Sequence, residues 1–410
     1  MNRTPPADVA VVGAGPAGLA AALALAACGV DTMLVAPPFD RARADLDQRT
    51  TALLGGSADM LQALGVDAAL GQHLAPLRAI RLIDDMGGLV RTGEVMFRAE
   101  EAGLTAFGMN VANAALVAAL AEAAGRHARI TWHGTSGVRH VEASADGVRL
   151  TTAEGAEIRA KVVAAADGRN SICRQATGIP AHTWTYPQVA IATVFAHRRP
   201  HDGVSTEIHR PHGPMTTVPM PPRDGQHCSS LVWVLDPARA ADLAAADDEA
   251  FRAALEAGLM GLCGRVTAIG RRASFPLSGL TANRLAANRI ALIGEAGHVI
   301  PPIGAQGLNL GFRDAATFAE LIADAVAQGA DPGAERVLDG YDSRRRGDVG
   351  ARTIAVDLLN RSLIDDIAPL RALRGLGLMA VSMLPALKRA AMSAGMEPVG
   401  QRPRLMRRTA

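Results

Sequence analysis

The sequence predicts an α/β protein with three parts: a Rossmann-like dinucleotide-binding domain, an inserted mixed β-sheet domain and a C-terminal helical region. Three observations point there. A GxGxxG turn lies between an apolar strand and an alanine-leucine helix at the start of the chain. A strand-like stretch, residues 181–275, interrupts the α/β pattern. Helical spacing then returns and runs from about Val349 to Met396.

Asp8–Val12 is apolar and β-branched, as a buried strand should be. Gly13-Ala14-Gly15-Pro16-Ala17-Gly18 follows, then an Ala/Leu helix to about Cys28, where Gly29 stops it. Residues 30–35 (VDTMLV) form a second strand. Together these make a parallel βαβ unit with a right-handed crossover. In such a turn the first glycine bends the chain and the second admits a pyrophosphate. The third lets helix and strand close up. The helix N-terminus then faces the phosphate charge. An acidic residue should end the second strand and hold ribose hydroxyls. Ala36 stands there instead, so Asp31, Asp40 or another group takes its place.

Residues 51–70 and 111–124 read as helices by apolar spacing. Residues 129–165 alternate with period two, and Asp146-Gly147 and Glu154-Gly155 mark hairpin turns. Prolines break the inserted domain at 211–222. The dinucleotide-binding domain is therefore expected from 1–75, 101–180 and 281–360. The inserted substrate domain takes 76–100 and 181–280, and 361–410 forms a helical, basic tail.

Two further loops resemble ligand-binding turns. Asp167-Gly168-Arg169 follows the apolar run VVAAA and places a carboxylate on a tight turn after a strand. In residues 289–315 a strand runs into Gly294-Glu295. A loop holding His298, Pro301 and Pro302 follows, and Gly304, Gln306, Gly307 and Asn309 open a helix. A carboxylate at a strand end can hold sugar-like hydroxyls. A glycine-rich loop opening a helix aims backbone donors at an electron-rich ring system.

The chain has 410 residues, 49% hydrophobic and 20% charged, which excludes a disordered polymer and allows two to three domains. Aromatics are only 3%. The stretch from Arg344 onward carries a net +8, so the preceding body is mildly acidic at −6. Neither feature suits a nucleic-acid groove. The four cysteines show no CxxC or zinc spacing and read as reduced thiols of a cytoplasmic protein. Val9–Val30 is free of charge, but the glycine turn and Pro16 break it, arguing against a signal peptide or membrane span. His197, His201, His209 and His212 lie in one polar stretch that reads as a solvated loop, and no metal site is expected. Met215, Met220 and Trp233 either line an apolar pocket or pack in the core.

The glycine motifs stand beside several others: Asp47-x-Arg49-Thr50-Thr51-Ala52-Leu53, Gly213-Pro214 before Val218-Pro219-Met220, Phe275-Pro276-Leu277, and Tyr341-x-x-Arg344-Arg345. This set resembles the FAD-dependent aromatic hydroxylases of the p-hydroxybenzoate hydroxylase type. Within that family it is most similar to the ubiquinone-biosynthesis hydroxylases. The stretch GAQGLNLGFRDA (304–315) is its most specific part. The resemblance covers nearly the whole chain. It implies hydroxylation of a polyprenylated phenol or quinol ring with FAD, NAD(P)H and O2. It also implies roles. Gly13, Gly15 and Gly18 would hold the FAD pyrophosphate and Arg49 a phosphate. The Val138 backbone would lie near adenine. Asp167 and Gly168 would serve both FAD and NAD(P)H, and Gly294 and Glu295 the ribitol. Gly304, Gln306, Gly307 and Asn309 would line the flavin ring, with Pro301 and Pro302 beside the face where oxygen reacts. His298 either tunes substrate and flavin or is structural. The family often has Arg where this chain has Ala114.

In such enzymes the cofactor carries the chemistry and the protein orients and shields it. That fits the absence of GxSxG, HExxH and Walker patterns. Two other readings stay open: the same chemistry on a soluble aromatic compound, and a non-catalytic FAD-binding subunit of a quinone-making complex. Residues 367–393 are apolar with basic residues interspersed and suit an interfacial helix, or one that packs on the FAD domain. The implied lipid-resident substrate favours peripheral membrane contact through this tail, which would then matter less for FAD. It also favours association with other ubiquinone-biosynthesis enzymes.

Overall fold

A computed structural model describes residues 7–86, 94–211, 213–364 and 383–407. The first sheet grows around the buried strand Ala7–Val12, which pairs in parallel with Thr32–Ala36 and with Glu157–Ala165. Ile130–Gly134 extends one side and Ile290–Leu292 the other, both parallel. The strands Val138–Ala143 and Val148–Thr152 form an antiparallel extension on Glu157–Ala165. The helix Pro16–Ala27 has no exposed face: every residue from Gly18 to Ala26 is buried. Its small side chains let it pack against two other helices, Gln306–Ala327 and Asn113–Arg126.

A second, nine-stranded sheet draws its strands from residues 79–98, 181–282 and 298–299. One pair in it is parallel, Val204–His209 with Ala79–Asp84; the other described pairs are antiparallel. Helices Pro237–Ala245 and Asp248–Gly258 cover one face through a core that includes Ile191, Phe195, Phe251 and Leu255. A small third sheet joins Thr50–Leu54, Gly108–Ala112 and Ala75–Pro76.

Several elements differ from the sequence reading. Residues 51–54 are strand, and the helix begins at Gly55. The proline-rich stretch is not a break: Met215–Arg223 is a strand with Pro219 paired to Ser229. Its pairing with Val204–His209 ends at Thr217, so the prolines fall on a locally free edge where a missing N–H costs nothing. The helices at 237–258 lie inside a stretch read as strand. Their caps were visible: Asp236 accepts from Arg239 N at 2.9 Å and Asp247 from Ala250 N at 2.7 Å. The late helix starts at Glu335, well before Val349.

Other expectations are also revised. His197 and His209 sit on strands and are buried, not in a solvated loop. Burial lowers His197 to about 4, and its ring bonds the Arg199 carbonyl and the Ser229 hydroxyl. His212 and residues 367–382 of the proposed interfacial helix lie outside the described residues. Met215 and Trp233 belong to the core of the large sheet, and Met220 is likewise buried. All four cysteines are free thiols. Among the described residues, no helix is long and apolar enough to cross a membrane.

The polar helix Glu335–Ile364 is fastened by buried groups. The Tyr341 hydroxyl donates to the Leu292 carbonyl at 2.7 Å, and Asp342 accepts from Leu285 N at 2.7 Å. Asp348 has no exposed surface. Arg345, Arg313 and Arg352 all donate to it, at 2.8, 3.2 and 3.3 Å. Burial alone would raise its carboxyl, but the charges of Arg345 and Arg313 outweigh burial and lower it to about 2. This group titrates lower in the folded chain than in the unfolded one. Its contribution is therefore complete above about pH 4 and is lost as pH falls toward 2. Urea unfolding across that window should show a steep loss of stability in the native chain and a shallower one in Asp348→Asn. At neutral pH the same variant should be about 3–5 kcal/mol less stable, because three buried guanidinium groups lose a shared carboxylate.

Candidate active site

A cavity of about 720 Å³ runs from the glycine turn of the first sheet to the face of the large sheet. That lies within the range of small-molecule and cofactor sites. The turn builds one end. Gly13 has φ +105°, and a Cβ there would lie 2.3 Å from the Ala166 carbonyl oxygen. A Cβ on Gly18 would meet the Gly13 oxygen at 2.0 Å. These two glycines let strand, turn and helix touch. Gly15 differs: its backbone is ordinary, and an added Cβ would meet nothing within 4 Å because it points into open space at the cavity wall. Gly168 and Gly307 are also cavity-lining positions whose Cβ would meet nothing. Bare backbone facing open space beside a helix N-terminus with no acidic residue in its first turn is a cradle for a phosphate group.

Arg49 and Glu295 lie on the same wall. Arg49 grips Asp47 with two bonds of 2.8 Å, through Nε and Nη2. The bond to Asp47 raises the guanidinium further above its ordinary value. Burial pushes Asp47 up, but the bonds from Arg49 and Asn113 outweigh it and hold the carboxyl below the usual range. Nη1 of Arg49 has no hydrogen-bond partner among the described residues. Glu295 is exposed and sits on a short turn just past the strand Ile290–Leu292. Pro301, Pro302, Gly304, Gln306, Gly294 and His298 also line the cavity.

Four expected residues are not on that wall: Gly13, Val138, Asp167 and Asn309. Asn309 is fully buried and spends its side chain on backbone. It accepts from Leu54 N at 2.9 Å and donates to the Ala52 and Ala305 carbonyls at 2.8 and 2.6 Å. It clamps the strand Thr50–Leu54 to the helix that follows the loop. The Asp167 carboxylate accepts from the Ser171 hydroxyl at 2.6 Å and Cys173 N at 3.1 Å, organising the next short helix. Its neighbours Gly168 and Arg169 face the cavity instead. Val138 begins a strand and packs against the core of the first sheet. Asp31 pairs with Arg129, and Asp40 caps the turn Arg41–Ala44. Neither of these two aspartates lines the cavity.

His298 is a buried, bonded histidine at the cavity edge. Its Nε2 lies 2.6 Å from Asp314, a fully buried carboxylate that also accepts from Gly294 N and Arg345. Gln306 lines the cavity but also reaches away from the loop, donating to the Gly395 carbonyl and accepting from Arg352 at 2.5 Å. Gly395 belongs to the helix Pro385–Met396, and Ala391, Met392, Gly395 and Met396 form part of the wall. The sequence reading missed this. It also missed Asn110, whose buried Oδ1 has no partner among the described residues, and Asn113 and Glu207. A tail expected to serve a membrane first is, in its described part, a wall of the site.

The cradle, the free donor of Arg49 and the long apolar continuation fit FAD. Residues 6–355 match the family profile of the FAD binding domain. The chain belongs to this family. It is 34% identical to a ubiquinone hydroxylase of Rhodospirillum rubrum over 98% of this chain and 92% of that one. It is 32% identical to the 3-demethoxyubiquinol 3-hydroxylase of Escherichia coli over 94% and 97%. The fold is that of p-nitrophenol 4-monooxygenase from Pseudomonas putida, with a TM-score of 0.74 and 20% identity over 94% and 96% of the two chains. The chain is thus an FAD-dependent aromatic hydroxylase, and FAD is its cofactor.

The glycines of the turn should separate in experiment. Gly15→Val places a side chain where only ligand can be, on a backbone that valine tolerates. It should fold within about 1 kcal/mol of the native chain and purify without yellow colour. Gly18→Ala forces a methyl group into the Gly13 carbonyl and should cost about 1–3 kcal/mol in urea unfolding. Equal flavin content in Gly15→Val and native protein would overturn the phosphate assignment.

Proposed function

We propose that the chain hydroxylates the ring of a polyprenylated phenol or quinol in ubiquinone biosynthesis, using NAD(P)H and O2. The observation that carries this reading is the continuity of the cavity. One end offers bare backbone and Arg49; the other offers the apolar side chains Ile80, Phe97, Val218, Met392 and Met396. A prenylated substrate would bury its chain and ring against the second set, with the reacting carbon turned toward the loop of Pro301 and Pro302. The names of the two relatives support the same substrate class.

When bound, FAD supplies the redox chemistry, passing electrons from NAD(P)H to dioxygen so that one oxygen atom reaches the ring. The residues of this chain have other tasks. Gly15, Gly168 and Gly307 leave room for the cofactor, Arg49 neutralises phosphate charge, and Glu295 would accept hydrogen bonds from the ribitol hydroxyls. Pro301 and Pro302 lie on the wall of the reaction space. They bring no backbone N–H with which to compete for oxygen. The apolar wall excludes water, which protects reactive species from hydrolysis.

The lipid-like substrate makes contact with a membrane surface part of this reading. Ile354 and Leu358, one turn apart, are 61% and 62% exposed. Met383 and Leu384, just before the helix that walls the cavity, and Leu387 on it are also exposed. Such side chains suit insertion into a lipid surface. Association with other enzymes of the pathway belongs to the same reading, and co-purification tests it.

Purified protein should be yellow and should oxidise NAD(P)H faster when a short-tailed prenylphenol is added, with a hydroxylated product by mass spectrometry. Bound flavin without that product would move the assignment to a soluble aromatic or to a non-catalytic role. Changing Leu384 and Leu387 together to Glu should lower co-sedimentation with anionic liposomes about tenfold at unchanged flavin content.

A further inference from the structure

We propose that Glu207, held in place by His209, takes the proton of the substrate's ring hydroxyl during oxygen transfer. This rests on the hydroxylase reading and adds the group that the reading lacks.

The strand Val204–His209 alternates its side chains. Ser205 and Glu207 line the cavity, while Ile208 turns to the core on the opposite side of the sheet. His209 falls on the face of Glu207, two residues on. The two side chains meet with His209 Nε2 at 2.7 Å from Glu207 Oε1. Glu207 is 8% exposed and His209 2%. The wall around them is largely apolar, with Ile80 and Val218 on the two neighbouring strands and Val232 on the next. A carboxylate in such a wall is costly unless paired.

His209 Nδ1 is buried with no partner. Glu207 Oε2 has no hydrogen-bond partner among the described residues, and it is the oxygen left for a ligand. The other acids on the cavity wall are committed elsewhere. Asp47 is held by Arg49 and Asn113, and Glu295 lies at the end of the first sheet. Glu207 is therefore the acid on the large-sheet side, where an apolar ring would rest.

The chemistry needs such a group. An aromatic carbon attacks an electrophilic oxygen more readily as its hydroxyl loses a proton, because the electron pair left behind flows into the ring. In the step, the carbon–oxygen bond forms and the O–O bond breaks, and the hydroxyl proton moves to Glu207 Oε2. The ring carbon that gained oxygen then releases its hydrogen as a proton to water, and Glu207 returns its own proton to the substrate oxygen. The ring is oxidised by two electrons. Dioxygen takes these and two more from NAD(P)H, and its second atom leaves as water. Glu207 ends as it began. His209 acts through Glu207 and is a positioning residue.

The test uses the FAD-loaded enzyme, a short-tailed prenylphenol and the methyl ether of the same phenol. Binding is read from the flavin absorbance and turnover from product. The native enzyme should bind the phenol about tenfold more tightly than the ether. Glu207→Gln should keep its FAD, bind the ether as the native enzyme does and lose most of the preference. Its product kcat should fall by about 100-fold or more, while NAD(P)H oxidation continues without product. Glu207→Asp should recover part of the rate. His209→Phe should lower kcat about tenfold with little change in KM. His209→Gln, whose amide can still donate to Oε1, should restore most of it.

Native product rates and native phenol preference in Glu207→Gln would overturn the proposal. So would loss of FAD from both Glu207 variants, which would make the pair structural. If the native enzyme gives no hydroxylated product, the functional reading fails by itself. The phenol-against-ether preference still decides whether Glu207 meets the hydroxyl.

Discussion

Asp314 has no exposed surface and receives three donors, each from a different part of the site. One oxygen accepts from Gly294 N at 3.0 Å and lies 2.6 Å from His298; the other accepts from Arg345 at 2.7 Å. Burial would raise this carboxyl, but His298 and Arg345 outweigh it and keep it lowered. The carboxylate thus fixes the turn carrying Glu295, the loop leading to Pro301 and Pro302, and the helix Glu335–Ile364 to one point. A buried charge with a single missing partner is strongly destabilising, so these pieces stand or fall together.

The neighbouring Asp348 extends the same constraint to the end of the described chain. It accepts from Val399 N at 3.0 Å besides its three arginines. Two of those arginines also reach the C-terminal helix: Arg313 donates to the Met396 carbonyl and Arg352 to Gly395 and Ala394. Gln306 joins them from the cofactor loop. The apolar wall of Met392 and Met396 is therefore hung on a polar frame. The frame sets the geometry, and the side chains it carries meet the ligand.

What was legible in the sequence follows from how local each cause is. The glycine turn could be read because its reasons lie within a few residues: Gly18 must clear Gly13 and leave the turn open at Gly15. The hairpins at Asp146-Gly147 and Glu154-Gly155 were legible for the same reason. Asn309 was placed at the flavin through the family resemblance of the motif that opens its helix. Two of its three partners, Ala52 and Leu54, lie more than 250 residues away in the chain. The strand at 50–54 passed for helix because its apolar residues fit either period over so short a run. Asp236 and Asp247 announced the two missed helices, but the flanking β-branched pattern dominated the reading. The role of Met392 and Met396 had no local signal. It depends on Arg352 and Arg313, far earlier in the chain, which hold this helix through the backbone carbonyls of Gly395 and Met396.

That last dependence has a consequence for how the enzyme comes into being. The chain is made from its N-terminus, and domains tend to fold in that order. The glycine turn, both large sheets and the cofactor loop are all synthesised before residues 385–396. Until those residues arrive, Gln306, Arg313 and Arg352 lack the carbonyls that hold them, and the apolar pocket has no outer wall. Completion of the apolar end of the cavity is thereby tied to a late event in synthesis. A nascent chain interrupted before this helix would contain every recognisable cofactor motif and still present an unfinished, greasy cleft to the cell's quality control.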